Sequence, residues 1–293
     1  MTITETSVLV FDVGGSHVSA AVCRRGDLRL GQVARAHYGE CKSSADFVDL
    51  LHALGVQSTA GYARIAGAGL AMPGPFDYEL GISRMKHKLP YLFGVDLRAA
   101  LATSFNWLPA QVRFINDAAA FLLGEAGAGA ARGVRRSVGI TLGTGIGSAF
   151  AINGRIVTSG DGVPPGGEIW DMPFERGIVE DTLSTYALQH SYLARAGRQA
   201  EVADIAAAAP HDPAAADVFK EFGRSLGIVL RQLTAEFSPD VVVIGGGISQ
   251  SAQLFLPAAE AELRGMKTEL RVSTLRESAA LVGAGVTWFA QGD

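Results

Sequence analysis

The sequence predicts an α/β protein of two domains built on a duplicated core, and three observations carry that expectation. Near the N-terminus, Val8–Val22 reads as an apolar strand, a glycine turn bearing a hydroxyl and a second apolar strand, with Arg25-Gly26 as a following turn. The same order returns at Val138–Ile152, closed by Asn153-Gly154. Gly14 and Gly143 lie 129 residues apart, too far for a solenoid repeat and right for a duplicated domain. A third glycine cluster, Gly245-Gly246-Gly247, follows the β-forming run Val241–Ile244. The length, 293 residues, suits two domains of about 150 residues each.

Taken in order, residues 8–38 read as two or three strands. Ser43–Leu54 has helical apolar spacing after a Ser cap, with Gly55 as its stop. Arg64–Ala71 is a strand of small residues ending at Met72-Pro73-Gly74-Pro75-Phe76, where the prolines force an extended turn. That turn is a pocket wall or a plain loop. Val95–Ala102 is a helix, Gln111–Ile115 a strand and Ala118–Glu125 an Ala-rich helix. The loop 159–173 is rich in Gly and Pro, and Glu180 opens a further helix. Short helices follow over 187–216, then a long one over Ala215–Phe237, another at Pro257–Leu263 and a terminal apolar helix at Ala279–Phe289.

Composition narrows the function classes. The net charge of −4 argues against a nucleic-acid surface, which needs a basic patch. No apolar run approaches the ~18 residues of a membrane span. The first residues show no signal-peptide pattern. The two cysteines, Cys23 and Cys41, have no metal-ligand spacing. A cytoplasmic protein with no nucleic-acid or membrane partner is the expectation.

The glycine turns carry the first chemical signal. Glycines at 143, 145 and 147 allow positive φ and a close approach of backbone N–H groups to a ligand. Those amides, with the Thr144 hydroxyl, suit phosphate oxygens, although a tight turn without a ligand has the same sequence. The second signal is Asn116-Asp117, where a strand ends and a helix begins. A carboxylate there can accept a proton from a sugar hydroxyl, and it can equally be an N-cap. Glu168 and Asp171 form a third cluster at the end of the 159–173 loop. Glu180 on its own reads as an ordinary acidic residue of a first helical turn.

Seven motifs in one order resemble the ROK family of sugar kinases and repressors. They are Asp12-x-Gly14-Gly15-Ser16, Pro73-Gly74-Pro75, Asn116-Asp117-Ala118, Leu142–Gly147, Gly167-Glu168-Ile169, Val179-Glu180 and Val243–Gly247. The resemblance implies the two-domain actin-like ATPase fold, of ribonuclease H-like type, with a cleft between the domains. It puts the N-terminal domain at 1–117, with the helix 277–293 packing back on it, and the C-terminal domain at 118–276. It implies ATP-dependent phosphorylation of a hexose or hexose derivative, in the manner of glucokinase, with Mg²⁺ and in a homodimer. Asp117 would be the general base. Gly74, Asn116, Glu168, Asp171 and Glu180 would meet the sugar. Asp12 would face Mg²⁺ through water; Gly14, Gly15, Ser16, Gly143, Thr144 and Gly145 would cradle the phosphates; Gly245, Gly246 and Gly247 would line the adenosine.

Two departures stand out. Members with a zinc module carry a His shortly after the Gly-Glu and then a Cys-rich stretch; here Asp171 takes the place of the His and no Cys follows, so no zinc is expected. Only seven residues precede the first predicted strand, too few for the helix-turn-helix of the family's repressors. Two alternatives stay open: a non-catalytic sugar-binding regulator of the same fold, and a kinase using polyphosphate as donor.

Overall fold

A computed structural model describes residues 6–290. The chain divides into two compact units, Met1–Gly129 with Glu277–Asp293, and Ala130–Arg276. The first unit contains β1 (Ser7–Val13), β2 (His17–Arg24), β3 (Ala34–His37), α1 (Ser44–Thr59), β4 (Ala68–Met72), α2 (Leu97–Ser104), β5 (Val112–Asn116) and α3 (Asp117–Ala128). Its sheet has the order β3-β2-β1-β4-β5. β1 to β3 form an antiparallel meander, and β4 and β5 add in parallel on the other side of β1. Alternation along β1 sorts its side chains to two faces. Leu9, Phe11 and Val13 join the core under α1 and α2, while Val8 and Val10 join a second, smaller core.

The second unit repeats this plan. It contains β6 (Arg136–Leu142), β7 (Ile146–Ile152), β8 (Arg155–Val157), α4 (Val179–Thr182), α5 (Thr185–Ala196), α6 (Val202–Ala208), α7 (Pro213–Phe237), β9 (Val241–Gly245), α8 (Ala252–Glu262) and β10 (Glu269–Val272). The sheet order is β8-β7-β6-β9-β10, again an antiparallel meander with two parallel strands beyond it. The duplicated core expected from the two glycine hairpins is therefore present. Asn153 and Gly154 have φ of 52° and 70°, the left-handed pair that a two-residue hairpin requires. Ile140, Leu142 and Phe150 pack against the buried face of α7, which includes Phe219, Leu226, Leu230 and Phe237.

The last helix, α9 (Ala279–Ala290), returns to the first unit. Its Leu281 and Ala284 pack with Val8, Val10, Ala71 and Ala120. α3 and α9 approach closely because glycine stands at the contact. A Cβ on Gly124 would overlap the Ala279 backbone, and one on Gly283 the Ala120 backbone. α3 therefore groups with the first unit, and the chain leaves that unit after Gly129.

Other details differ from the sequence reading for identifiable reasons. Ser43 caps α1 in a capping box with Asp46, but the helix runs through Gly55 to Thr59. Gly55 is a packing position, not a stop: a Cβ there would stand 2.6 Å from the Phe105 ring and 2.8 Å from Leu9. α8 begins at Ala252, straight after a 3-10 turn at Gly247–Ser251, and holds Pro257 inside it. β10 has no clear sequence signal. Among the described residues no helix is long and apolar enough to cross a membrane.

Candidate active site

In each unit glycine turns or carboxylates stand at the carboxyl ends of the central strands, where an α/β sheet places its ligands; Glu168, Asp171 and Glu180 come instead from the 159–173 loop and α4. In the first unit the register sets Asp12, Ala71 and Ile115 in one row across β1, β4 and β5, with Met72 beside Asn116 in the next. Strands spaced about 4.8 Å apart put Asp12 and the end of β5 roughly 10 Å apart along that row. Asn116 is the N-cap of α3; its side chain accepts the Ala119 N–H at 3.1 Å. Asp117 is the first helical residue, and its Oδ1 accepts the Ala118 N–H at 2.9 Å. The capping of α3 thus belongs to the neighbouring residue. The Asn116 amide also donates to Tyr78 Oη at 3.2 Å, and Tyr78 Oη donates to the Met72 carbonyl at 3.2 Å. An added Cβ on Gly74 would lie 3.6 Å from that same hydroxyl. Tyr78, unmarked in the sequence reading, joins the Pro-Gly-Pro turn to the end of β5.

Asp12 is half-buried. Its carboxyl is pushed up to about 7, chiefly by burial, then by the charge of Asp117; Arg35 opposes the rise and Glu277 adds to it. Arg35 Nε donates to Ser19 Oγ at 3.1 Å, and Ser19 is the cross-strand partner of Asp12. Arg35 also pairs with Glu277. In the adjoining turn Gly14 N–H donates to the His17 carbonyl at 2.9 Å and Tyr38 Oη to the Gly14 carbonyl at 2.7 Å. Gly15 and Ser16 stand exposed at its tip. Among the described residues no group of three His, Cys, Asp or Glu side chains is arranged to hold a metal ion. A lone half-buried carboxylate still fits Mg²⁺, which takes one or two carboxylates and completes its shell with water and phosphate.

In the second unit the turn after β6 is closed by Gly143 N–H donating to the Gly145 carbonyl at 3.0 Å. Neither Gly143 nor Gly145 takes the left-handed conformation that the sequence suggested. Their missing side chains serve otherwise. A Cβ on Gly143 would meet open space, and one on Gly145 would overlap the Glu180 carboxylate. Glu180 Oε2 accepts the Ile146 N–H at 3.1 Å, so Glu180 grips this turn. Thr185 bonds the Gly143 carbonyl through its N–H at 2.8 Å and its hydroxyl at 2.9 Å. Thr144 is exposed at the tip. Gly245 ends β9 beside Thr141. Gly246, at φ 82°, lies against the Leu142 backbone, where a Cβ would overlap the carbonyl. The hairpin turn and the Gly245–Gly247 cluster are therefore neighbours at one sheet end. Glu168 and Asp171 are exposed, and Glu168 Oε2 accepts the Trp170 indole N–H at 2.9 Å.

Comparison with known proteins agrees with this architecture. The ROK family model matches residues 8–290. A glucokinase of Thermotoga maritima is 30% identical over 250 residues, covering 74% of this chain and 77% of that protein. The ROK hexokinase structure from Thermus thermophilus superposes with a TM-score of 0.82 at 26% identity, covering 98% of this chain and 99% of that one. An inorganic polyphosphate/ATP-glucomannokinase from Arthrobacter sp. strain KM gives a TM-score of 0.73 at 25% identity, covering 98% and 99%. Two units of one topology and these likenesses make the fold that of the actin-like ATPases. The match along nearly its whole length places the chain in the ROK family.

Proposed function

We propose that the protein transfers the terminal phosphoryl group of ATP to a hydroxyl of a hexose or hexose derivative. The observation that carries this reading is Asp117 at the N-terminal end of α3, on the sheet end that also bears Asp12. Asp117 accepts the proton of the sugar hydroxyl. The hydroxyl oxygen bonds to the terminal phosphorus as the bond to the ADP oxygen breaks, with charge spread over the phosphoryl oxygens. The Gly14–Ser16 and Gly143–Gly145 turns present backbone amides to the phosphates, and Gly245–Gly247 lies along the nucleoside. Asp12 holds Mg²⁺ through water. Such an ion would supply charge neutralisation to the phosphates, and Asp12, whose carboxyl burial and the Asp117 charge lift, would be ionised against it. Gly74, Asn116, Glu168 and Asp171 meet the sugar. Glu180, held by the Ile146 N–H, touches both the sugar and the phosphate turn. The glucokinase and glucomannokinase likenesses support a sugar acceptor.

An assay of ADP release coupled to a sugar panel, with ATP and Mg²⁺, tests the reading. Turnover of at least one neutral hexose is expected; silence across the panel contradicts it. Polyphosphate run in parallel decides the donor. Asp171, exposed at the position where the family resemblance implies a His, favours a second reading, a sugar-binding regulator. Its mark is sugar binding in calorimetry with no phosphoryl transfer.

A further inference from the structure

Trp170 is a large aromatic side chain left 41% exposed, and the second unit is built to hold it there. Residues 167–170 alternate buried, exposed, buried, exposed, and Glu168 is extended at φ −102° and ψ 135°. Side chains two apart on extended backbone share a side, so Glu168 and Trp170 project together. Between them Ile169 is fully buried, and its N–H donates to Ser148 Oγ at 3.1 Å. Ser148 Oγ in turn donates to the Gly167 carbonyl at 2.7 Å. On the far side the Trp170 carbonyl accepts the Glu180 N–H at 3.0 Å. The backbone before the indole is therefore pinned to Ser148 of β7, and the backbone after it, through Glu180, to the glycine turn.

The indole N–H is a donor only, and it occupies one lone pair of Glu168 Oε2. That bond sets the rotation of the carboxylate and leaves its remaining acceptor sites for hydroxyls. An indole ring in water also carries apolar surface that gains by being covered. A sugar ring offers both complements: an edge of hydroxyls and a face of C–H groups. The Glu168 carboxylate itself disfavours an anionic acceptor.

We propose that Trp170 sets acceptor specificity. Its ring is the platform for the C–H face of a neutral pyranose, and its N–H aims Glu168 at that sugar's hydroxyls. Uronates and sugar phosphates are disfavoured by the Glu168 carboxylate. The assignment deepens the kinase reading and rests on it for the role of Glu168.

The test uses the intact protein and the variants Trp170→Phe and Trp170→Ala. The Phe variant keeps a ring and loses the donor; its sugar KM should rise about tenfold, the scale of a hydrogen bond to a charged group. The Ala variant should lose about fivefold more through the missing aromatic face. The donor KM and the melting temperature should not change in either. Of the three tryptophans only Trp170 is exposed, so sugar should alter the emission of the wild type and not of the Phe variant. Calorimetry should still record weaker sugar binding by that variant. Several results would overturn the assignment. One is a wild type that phosphorylates a neutral sugar while the Phe variant keeps its sugar KM and emission response. Another is a preference for an anionic sugar, and a third is an equal rise in sugar and donor KM with a lowered melting temperature. A wild type that neither binds nor phosphorylates any neutral sugar removes the kinase reading itself, and this assignment with it.

Discussion

At the scale of single residues, Asp12 is the group whose ionisation the fold opposes. Its carboxyl rises from 3.8 to about 7, first through burial and then through Asp117. Between those values the folded chain keeps a proton that the unfolded chain has released. Stability of the metal-free protein therefore falls as pH climbs from about 4 to about 7 and stays lower above that. The full shift corresponds to about 4 kcal/mol at most, and partial solvent contact brings the expectation to the order of 2 kcal/mol. Asp12→Asn should melt a few degrees above wild type at pH 8 in chelator, with the gap closing toward pH 4. A gap independent of pH would deny the raised carboxyl. Gly145 offers a second residue-scale test, since a side chain there overlaps the Glu180 carboxylate. Gly145→Ala should release the Ile146–Glu180 bond, cost about 1–2 kcal/mol in a denaturant titration and raise the donor KM. The sequence pointed to Gly145 but for the wrong freedom, positive φ. The reason for the glycine lies on Glu180, 35 residues away, and no local pattern carries such a contact.

Elements were legible where their signals are local. Ser43 with Asp46 marks the start of α1, Asn153-Gly154 marks the hairpin after β7, and Ser238 in the left-handed region ends α7 ahead of Pro239. Elements were misread where a tertiary contact overrode the local sign. Gly55 signals a stop by composition but sits mid-helix against Phe105 and Leu9. Pro257 reads as a helix start, yet a 3-10 turn and the first residues of α8 precede it. The α3–α9 contact shows the same logic in its energetics. A side chain on Gly283 meets the Ala120 backbone, which cannot swing aside. Gly283→Ala should destabilise by about 2–3 kcal/mol, as overpacking does, despite the better helix propensity of alanine. Urea denaturation followed by circular dichroism measures it, and a stabilised variant would contradict the packing described.

For the whole molecule, duplication was readable because two hairpins carry it in sequence, while the close α3–α9 approach, set by Gly124 and Gly283, has no local signal. α9 is the counterpart, in the second half, of α3 in the first: each follows the last parallel strand of its half. Removing residues 277–293 should strip the small core of Val8, Val10 and Ala71 of its cover. Limited proteolysis of that truncated chain should leave a protected fragment close to 130–276, and equal digestion of both halves would contradict the unit description. Of the candidate site, the strand-end carboxylates and glycine turns were visible in the sequence; the Tyr78, Arg35 and Trp170 contacts that hold them were not. The central claim is that Asp117 takes the proton from the acceptor. Asp117→Asn keeps the shape and the Asn116 cap, so kcat for the preferred sugar should fall at least ~100-fold while calorimetry finds sugar affinity close to wild type. A kcat within about threefold of wild type would show that the 117 carboxylate is not the base.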